Sequence, residues 1–122
     1  MNETTTIVPG LELSIPKQSG FVRIVSEPQW TLASLGYSEK HAEGNFEGLA
    51  RHLLTDEAFI LLEGSATLVI GRELRKVEMK PFAYYTVKAG TWHHILLKPD
   101  SRVAVVENSG TSKDNTETLL LK

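Results

Sequence analysis

This 122-residue chain predicts an all-β sandwich or barrel, and three observations predict it. From Glu57 onward, turn signals recur at short, regular intervals: Glu63-Gly64-Ser65, Gly71-Arg72, Lys80-Pro81, Ala89-Gly90, Pro99-Asp100 and Asn108-Ser109-Gly110. The runs between them are short and rich in Val, Ile, Leu, Phe and Tyr, residues that suit a pleated surface. No stretch sustains an apolar repeat of helical period. Helix is therefore expected to fill under about a tenth of the chain, well below the usual share.

The elements follow in order. Residues 1–10 are polar at first and end in Pro9-Gly10, which predicts a flexible N-terminal segment. Leu11-Glu-Leu-Ser-Ile15 alternates apolar and polar side chains and reads as a strand stopped by Pro16. Phe21–Val25 and Gln29–Leu35 read as two further strands, parted by Glu27-Pro28. Residues 36–48 form a polar loop long enough for a lid beside a pocket. In Ala58-Phe-Ile-Leu-Leu62, Phe59 and Leu61 share the parity of Glu57 and are expected to face inward. Ala58, Ile60 and Leu62 then face outward and need cover, from the N-terminal strands or from a second subunit. Ser109–Thr116 reads as a polar loop and Glu117–Leu121 as a last strand. With no internal repeat and no low-complexity tract, residues 1–122 read as one domain.

Composition narrows the function classes. Thirteen basic against fifteen acidic residues give a formal charge of −2, without a basic block. That argues against nucleic acid as a partner, because phosphate binding needs clustered cations. The absence of cysteine removes disulfides, thiolate ligands and thiol nucleophiles. The N-terminus lacks the basic start and apolar core of a signal peptide, and no apolar run approaches a membrane span. The expectation is a cytoplasmic protein that engages no membrane. The sequence has no Gly-x-Ser-x-Gly elbow, no His-Glu-x-x-His and no phosphate-cradling glycine loop.

The most informative stretch runs from Gly44 to Gly64. His52 closes one apolar run and Glu57 opens the next, with Thr55-Asp56 supplying turn chemistry between them. Five positions apart on a straight strand, the two side chains would point to opposite faces, so they share a site only if the chain bends. An imidazole and a carboxylate on one inner face are metal-ligand types. As an alternative they make a metal-free acid–base pair.

This stretch resembles the first motif of the cupin superfamily: Gly, five residues, His, one, His, three or four, Glu, six, Gly. Gly44, His52, Glu57 and Gly64 fit with the spacing kept, whereas Ala50 stands where the first histidine is expected. Lys88-Ala-Gly-Thr-Trp-His93 resembles the second motif through Gly90 and His93. Lys88 replaces its proline, Phe82 an upstream glycine and Leu97 a downstream asparagine. The resemblance covers about residues 44–97 and implies a double-stranded β-helix, or jelly-roll barrel.

With that topology His93 comes from the opposite part of the barrel. His52, Glu57 and His93 then form a set sufficient for a divalent metal (Mn, Fe, Ni or Zn) with open positions, or else a degenerate polar pocket that holds none. Ala50, Phe59, Leu61, Ile95 and Leu97 have inward parity and are expected to line the pocket. His94 is expected to face outward, and His41 to be an ordinary solvated histidine. Trp92, Tyr84 and Tyr85 read as packing residues and Arg23 as an exposed or snorkelling one. The resemblance also implies a homodimer formed through sheet faces. Two readings of function stay open. One is a metalloprotein that binds a small polar, sugar- or carboxylate-like molecule, with isomerase, lyase or oxygenase chemistry if it is an enzyme. The other is a non-catalytic small-molecule-binding or sensor protein without a tightly bound metal.

Overall fold

Strand parity decides which side chains enter the interior, and the registers fix that parity throughout. The computed structural model describes residues 2–121. Twelve strands follow one another among these residues: β1 Asn2–Val8, β2 Leu11–Pro16, β3 Phe21–Ser26, β4 Thr31–Gly36, β5 Gly48–His52, β6 Glu57–Glu63, β7 Ala66–Ile70, β8 Arg75–Glu78, β9 Tyr84–Val87, β10 His93–Leu97, β11 Arg102–Glu107 and β12 Thr116–Leu120. Short 3-10 turns at Glu39–His41, Glu43–Asn45 and Lys113–Asn115 are the helical structure among the described residues. The all-β expectation holds.

The strands form two five-stranded sheets of order β12-β5-β10-β7-β8 and β3-β4-β11-β6-β9, plus a separate ribbon, β1-β2. All strand pairings within them are antiparallel. Chain neighbours often lie in different sheets, so the loop between β5 and β6 crosses from one sheet to the other. This is jelly-roll connectivity. Residues 2–8, expected to be a flexible segment, instead form a strand hydrogen-bonded along β2. The missed signal is Pro9-Gly10, which is hairpin-turn chemistry (Gly10 has φ +89°) rather than the end of a loose tail.

The core lies between the two sheets. Ala33, Leu35, Phe59, Leu61, Val103 and Val105 come from one sheet and Ala66, Leu68, Ile95 and Leu97 from the other, and all are buried. Gly64, the glycine that closes the first motif, has φ +80°, and a Cβ there would fall 2.6 Å from Ser101 Cα. Only glycine fits both demands. The Ser101 hydroxyl then bridges the turn, accepting from Ser65 N at 2.9 Å and donating to Ser65 O at 2.8 Å.

A second, smaller core lies on the outer face of the β5–β10–β7 sheet, where Phe46 and Trp92 pack on Leu49, Val69 and Leu96. The loop of residues 36–48, read as a lid, thus covers the back of this sheet. Apolar attraction through Phe46 explains its position. Among the described residues, the outer face of the other sheet is only partly covered: Val22 and Ser34 are buried, with Arg102 donating to the Ser34 hydroxyl, whereas Val106 and Tyr84 are exposed. Val25, Leu32, Val106, Ala58 and Thr86 make one cross-strand row there, and Val22, Ser34, Ala104, Ile60 and Tyr84 the next. Tyr84 is 79% and Leu62 46% exposed.

Candidate metal centre

β5 delivers His52 at its last residue and β6 delivers Glu57 at its first. The bend of residues 53–56 between them is held at several points. Leu53 N donates to Asn115 O at 2.8 Å, and the Thr55 and Thr111 hydroxyls lie 2.7 Å apart. Asp56 accepts from Ala89 N at 2.8 Å and pairs with Lys88 at 2.5 Å. The bend therefore resolves the parity problem, placing His52 and Glu57 on inner faces of opposed sheets. His93, the first residue of β10, is anchored by its own turn, in which Gly90 N donates to His52 O at 2.7 Å.

The three side chains converge on one oxygen. His52 Nε2 lies 3.1 Å and His93 Nε2 3.2 Å from Glu57 Oε1. The ligating atoms of all three residues fall within 4.8 Å of one another. His93 Nδ1 donates to the Thr91 carbonyl at 3.0 Å, which orients the ring so that Nε2 faces the cluster. His52 Nδ1 is 2.9 Å from the Thr116 hydroxyl, which orients the second ring. Partners on the far nitrogen fix ring orientation in metal-ligating histidines. Bond lengths of about 2.0–2.2 Å to a shared divalent ion place neighbouring ligand atoms roughly 3 Å apart, so the donor set fits such an ion.

Electrostatics sharpen the picture. Burial alone would raise the Glu57 pKa, but hydrogen bonds from His52 and His93 outweigh it and hold the carboxyl at about 2. The Glu57 hydrogen bond raises His52, against the opposing effect of burial. Glu107 is the residue that sequence reasoning missed. It lies directly across β11–β6 from Glu57, on the inward face that Val103 and Val105 define, and is 7% exposed. Burial, the charge of Glu57 and a hydrogen bond with it push Glu107 up to about 7. Arg23, largely exposed as expected, also reaches inward to within 3.9 Å of Glu107 and lies over the Phe21 ring at 5.6 Å. The sequence signal was the alternation Val103-x-Val105-x-Glu107, which carries inward parity to the strand end.

Other predicted residues fall elsewhere. Phe59, Leu61, Ile95 and Leu97, expected as pocket walls, point inward but are packed in the closed core. Of these, Phe59 lies against the cluster itself, its ring edge-on to His93 at a centroid distance of 6.2 Å. Ala50 sits beside His93 in the register and borders a cleft of about 640 Å³ with Phe46, His94 and Leu119. That cleft contains no member of the cluster. A cleft of about 470 Å³ reaches Glu107 from the outer side of the sheet, bordered also by Trp30, Leu54, Ala58, Thr86 and Val106, and it contains no member of the cluster. His94 faces away from the cluster and stacks between His41 and Phe46, at centroid distances of 5.6 and 5.1 Å. Its Nε2 is buried without a hydrogen-bond partner among the described residues. Burial first, then the neighbouring His41 and Lys40 charges, lower it to about 4. His41, expected to be solvated, is half-buried through this stack and a 3.0 Å hydrogen bond to Ile95 O. Trp92 lies between Arg51 and Arg72 on the outer face, and the Tyr85 hydroxyl accepts from Lys80 N at 2.9 Å.

No family model matches the chain, and no curated protein matches it. Solved structures do. A cupin-2 domain protein from Shewanella frigidimarina superposes with TM-score 0.59 at 18% identity, over 75% of this chain and 83% of that one. The chain has the cupin fold. A double-stranded β-helix protein from Klebsiella pneumoniae matches with TM-score 0.61 at 15% identity, covering 86% of this chain and 82% of that one. Pac13, a nucleoside dehydratase from Streptomyces, matches with TM-score 0.62 at 12% identity, over 98% and 85%. Within this cupin barrel the cluster occupies the inner face at one end of the strands. Among the described residues, no helix is long and apolar enough to cross a membrane.

Proposed function

We propose that this cupin is a metalloprotein in which His52, Glu57 and His93 hold one divalent ion (Mn, Fe, Ni or Zn) beside a site for a small polar molecule. The observation that carries this reading is the convergence of two imidazole Nε2 atoms on one buried carboxylate oxygen. A buried carboxylate is costly unless cations or hydrogen-bond donors compensate it, and here the compensating groups are two imidazoles, both metal-ligand types. When bound, such an ion supplies a Lewis acid for a substrate oxygen. Glu57 and the two histidines bind it. Thr116 and the Thr91 carbonyl keep the rings oriented, and the core under the cluster excludes water from below. The ligand class, sugar- or carboxylate-like, is supported by the polar pair Glu107 and Arg23 beside Glu57 and by the structural neighbour that acts on a nucleoside and was solved with uridine. Isomerase, lyase and oxygenase reactions all suit a metal with open positions.

A second reading, non-catalytic binding without a tightly held metal, is favoured by one observation: Ala50 removes a ligand beside His93. Elemental analysis after metal loading and desalting separates the two. Retention of about one ion per chain supports the first reading, and retention of none supports the second. We further propose that the chain acts as one cytoplasmic domain and pairs as a homodimer, because the exposed Leu62, Tyr84 and Val106 of its outer sheet face suit a second copy.

A further inference from the structure

We propose that Glu107 is the fourth protein ligand of the metal site, taking from β11 the role that Ala50 leaves vacant on β5. The inference rests on the metal reading above and adds a residue to it.

Three observations support it. Glu57 and Glu107 are directly paired across β6 and β11, and both are buried. Like charges placed opposite one another in a sheet are destabilising, and burial deepens the cost. A dication between them removes that cost: two carboxylates and two neutral imidazoles bind it with no net charge left in the barrel. His52, Glu57 and His93 alone leave a net charge of +1 among apolar walls.

The second observation is the position left open. Ala50 is the cross-strand partner of His93 and brings no donor to the cluster. Glu107 is the buried inward-facing carboxylate paired across the strands with Glu57, and it is not among the residues whose ligand atoms lie within 4.8 Å of one another. Its present partners are Glu57 and, at 3.9 Å, Arg23. Joining the site exchanges its contact with Glu57 for the ion and brings its carboxylate in beside the two histidines.

The third observation is the chemistry of the resulting set. Two imidazoles with two carboxylates form an oxygen-rich site that suits manganese, iron or zinc better than a soft metal. No cysteine or further histidine competes for that position among the described residues near the cluster.

The test uses cobalt(II) as the probe, because its visible spectrum reports ligand number and type. Wild type, Glu107→Gln and Thr116→Val are titrated by calorimetry and by absorbance. Glu107→Gln preserves side-chain volume and the hydrogen bond to Glu57, and an unfolding curve of the metal-free protein confirms that it folds. The expected result is affinity lowered by at least roughly tenfold in both variants, the range typical of disturbed outer partners. Only Glu107→Gln should also change the shape and intensity of the cobalt spectrum. The double variant Ala50→His/Glu107→Gln should regain affinity. Weaker binding by Glu107→Gln with an unchanged spectrum overturns the proposal, since Glu107 would then only support Glu57. Unchanged affinity overturns it too and leaves the three-ligand reading standing. A wild type that binds no cobalt overturns both.

Discussion

Replacing Glu107 with glutamine should stabilise the metal-free protein at pH 8 and leave it unchanged at pH 4. The carboxyl is pushed from its ordinary 4.5 up to about 7, by burial first and then by Glu57. A folded pKa above the unfolded one gives stability that is full below about 4.5 and lost as pH rises through about 7. At about 1.36 kcal/mol per tenfold change in proton affinity, the displacement corresponds to about 3 kcal/mol once the group ionises. Glu57 shares the same titration, so the two carboxyls act as one system and the expected gain is about 1–3 kcal/mol. The amide that replaces the carboxyl donates a hydrogen to Glu57 at every pH and never ionises. Urea unfolding with a chelator present, at pH 4 and pH 8, measures the difference. An equal effect at both pH values would refute the electrostatic reasoning, as would a variant less stable than wild type at pH 8.

Other expectations follow from single contacts. His94→Phe should keep the stack with His41 and Phe46 and remove a buried, unpartnered nitrogen, adding about 1 kcal/mol at pH 7.5. Its advantage should grow as pH falls from 6.5 toward 4, the window in which a lowered histidine pKa loses stability; thermal melts at pH 7.5 and 5 decide. Gly64→Ala combines strain at φ +80° with a collision against Ser101 and should cost more than about 2 kcal/mol in chemical denaturation. Light scattering should give twice the 13.5 kDa chain mass for the wild type, and Ile60→Lys should return it to monomer if the outer sheet face makes the dimer.

Much of the fold is legible in strand parity and turn residues. Phe59, Leu61, Ile95 and Leu97 point inward as their alternation with neighbours requires, and His94 points away from His93 for the same reason. The first motif places His52 and Glu57 together because a loop carries the chain between sheets, and Thr55-Asp56 is where the sequence signals that bend. What the sequence does not carry is depth. Parity cannot distinguish a wall of an open pocket from a packed core, because both ask for the same apolar residues on the same face. Nor could it locate the cover of Leu49, Val69 and Leu96, since Phe46 lies in a polar loop with no periodicity. Glu107 was readable from Val103-x-Val105-x-Glu107, yet its pairing with Glu57 depends on β11 lying beside β6, a contact 50 residues apart in the chain. Residues 2–8 form a ribbon because partner and turn lie immediately downstream, although their own polar composition gives little sign of a strand.

The claim that His52, Glu57 and His93 form a metal centre is tested most directly by metal stoichiometry. Wild type, His93→Ala and His94→Ala are incubated with manganese, iron, nickel and zinc salts, desalted and analysed for bound metal at pH 7.5 and 5.5. The account predicts about one ion per chain in wild type and His94→Ala and none retained by His93→Ala. Loading should fall as pH drops through about 6.5, where free imidazoles protonate. A wild type that retains no metal, or equal losses in His93→Ala and His94→Ala, would contradict it.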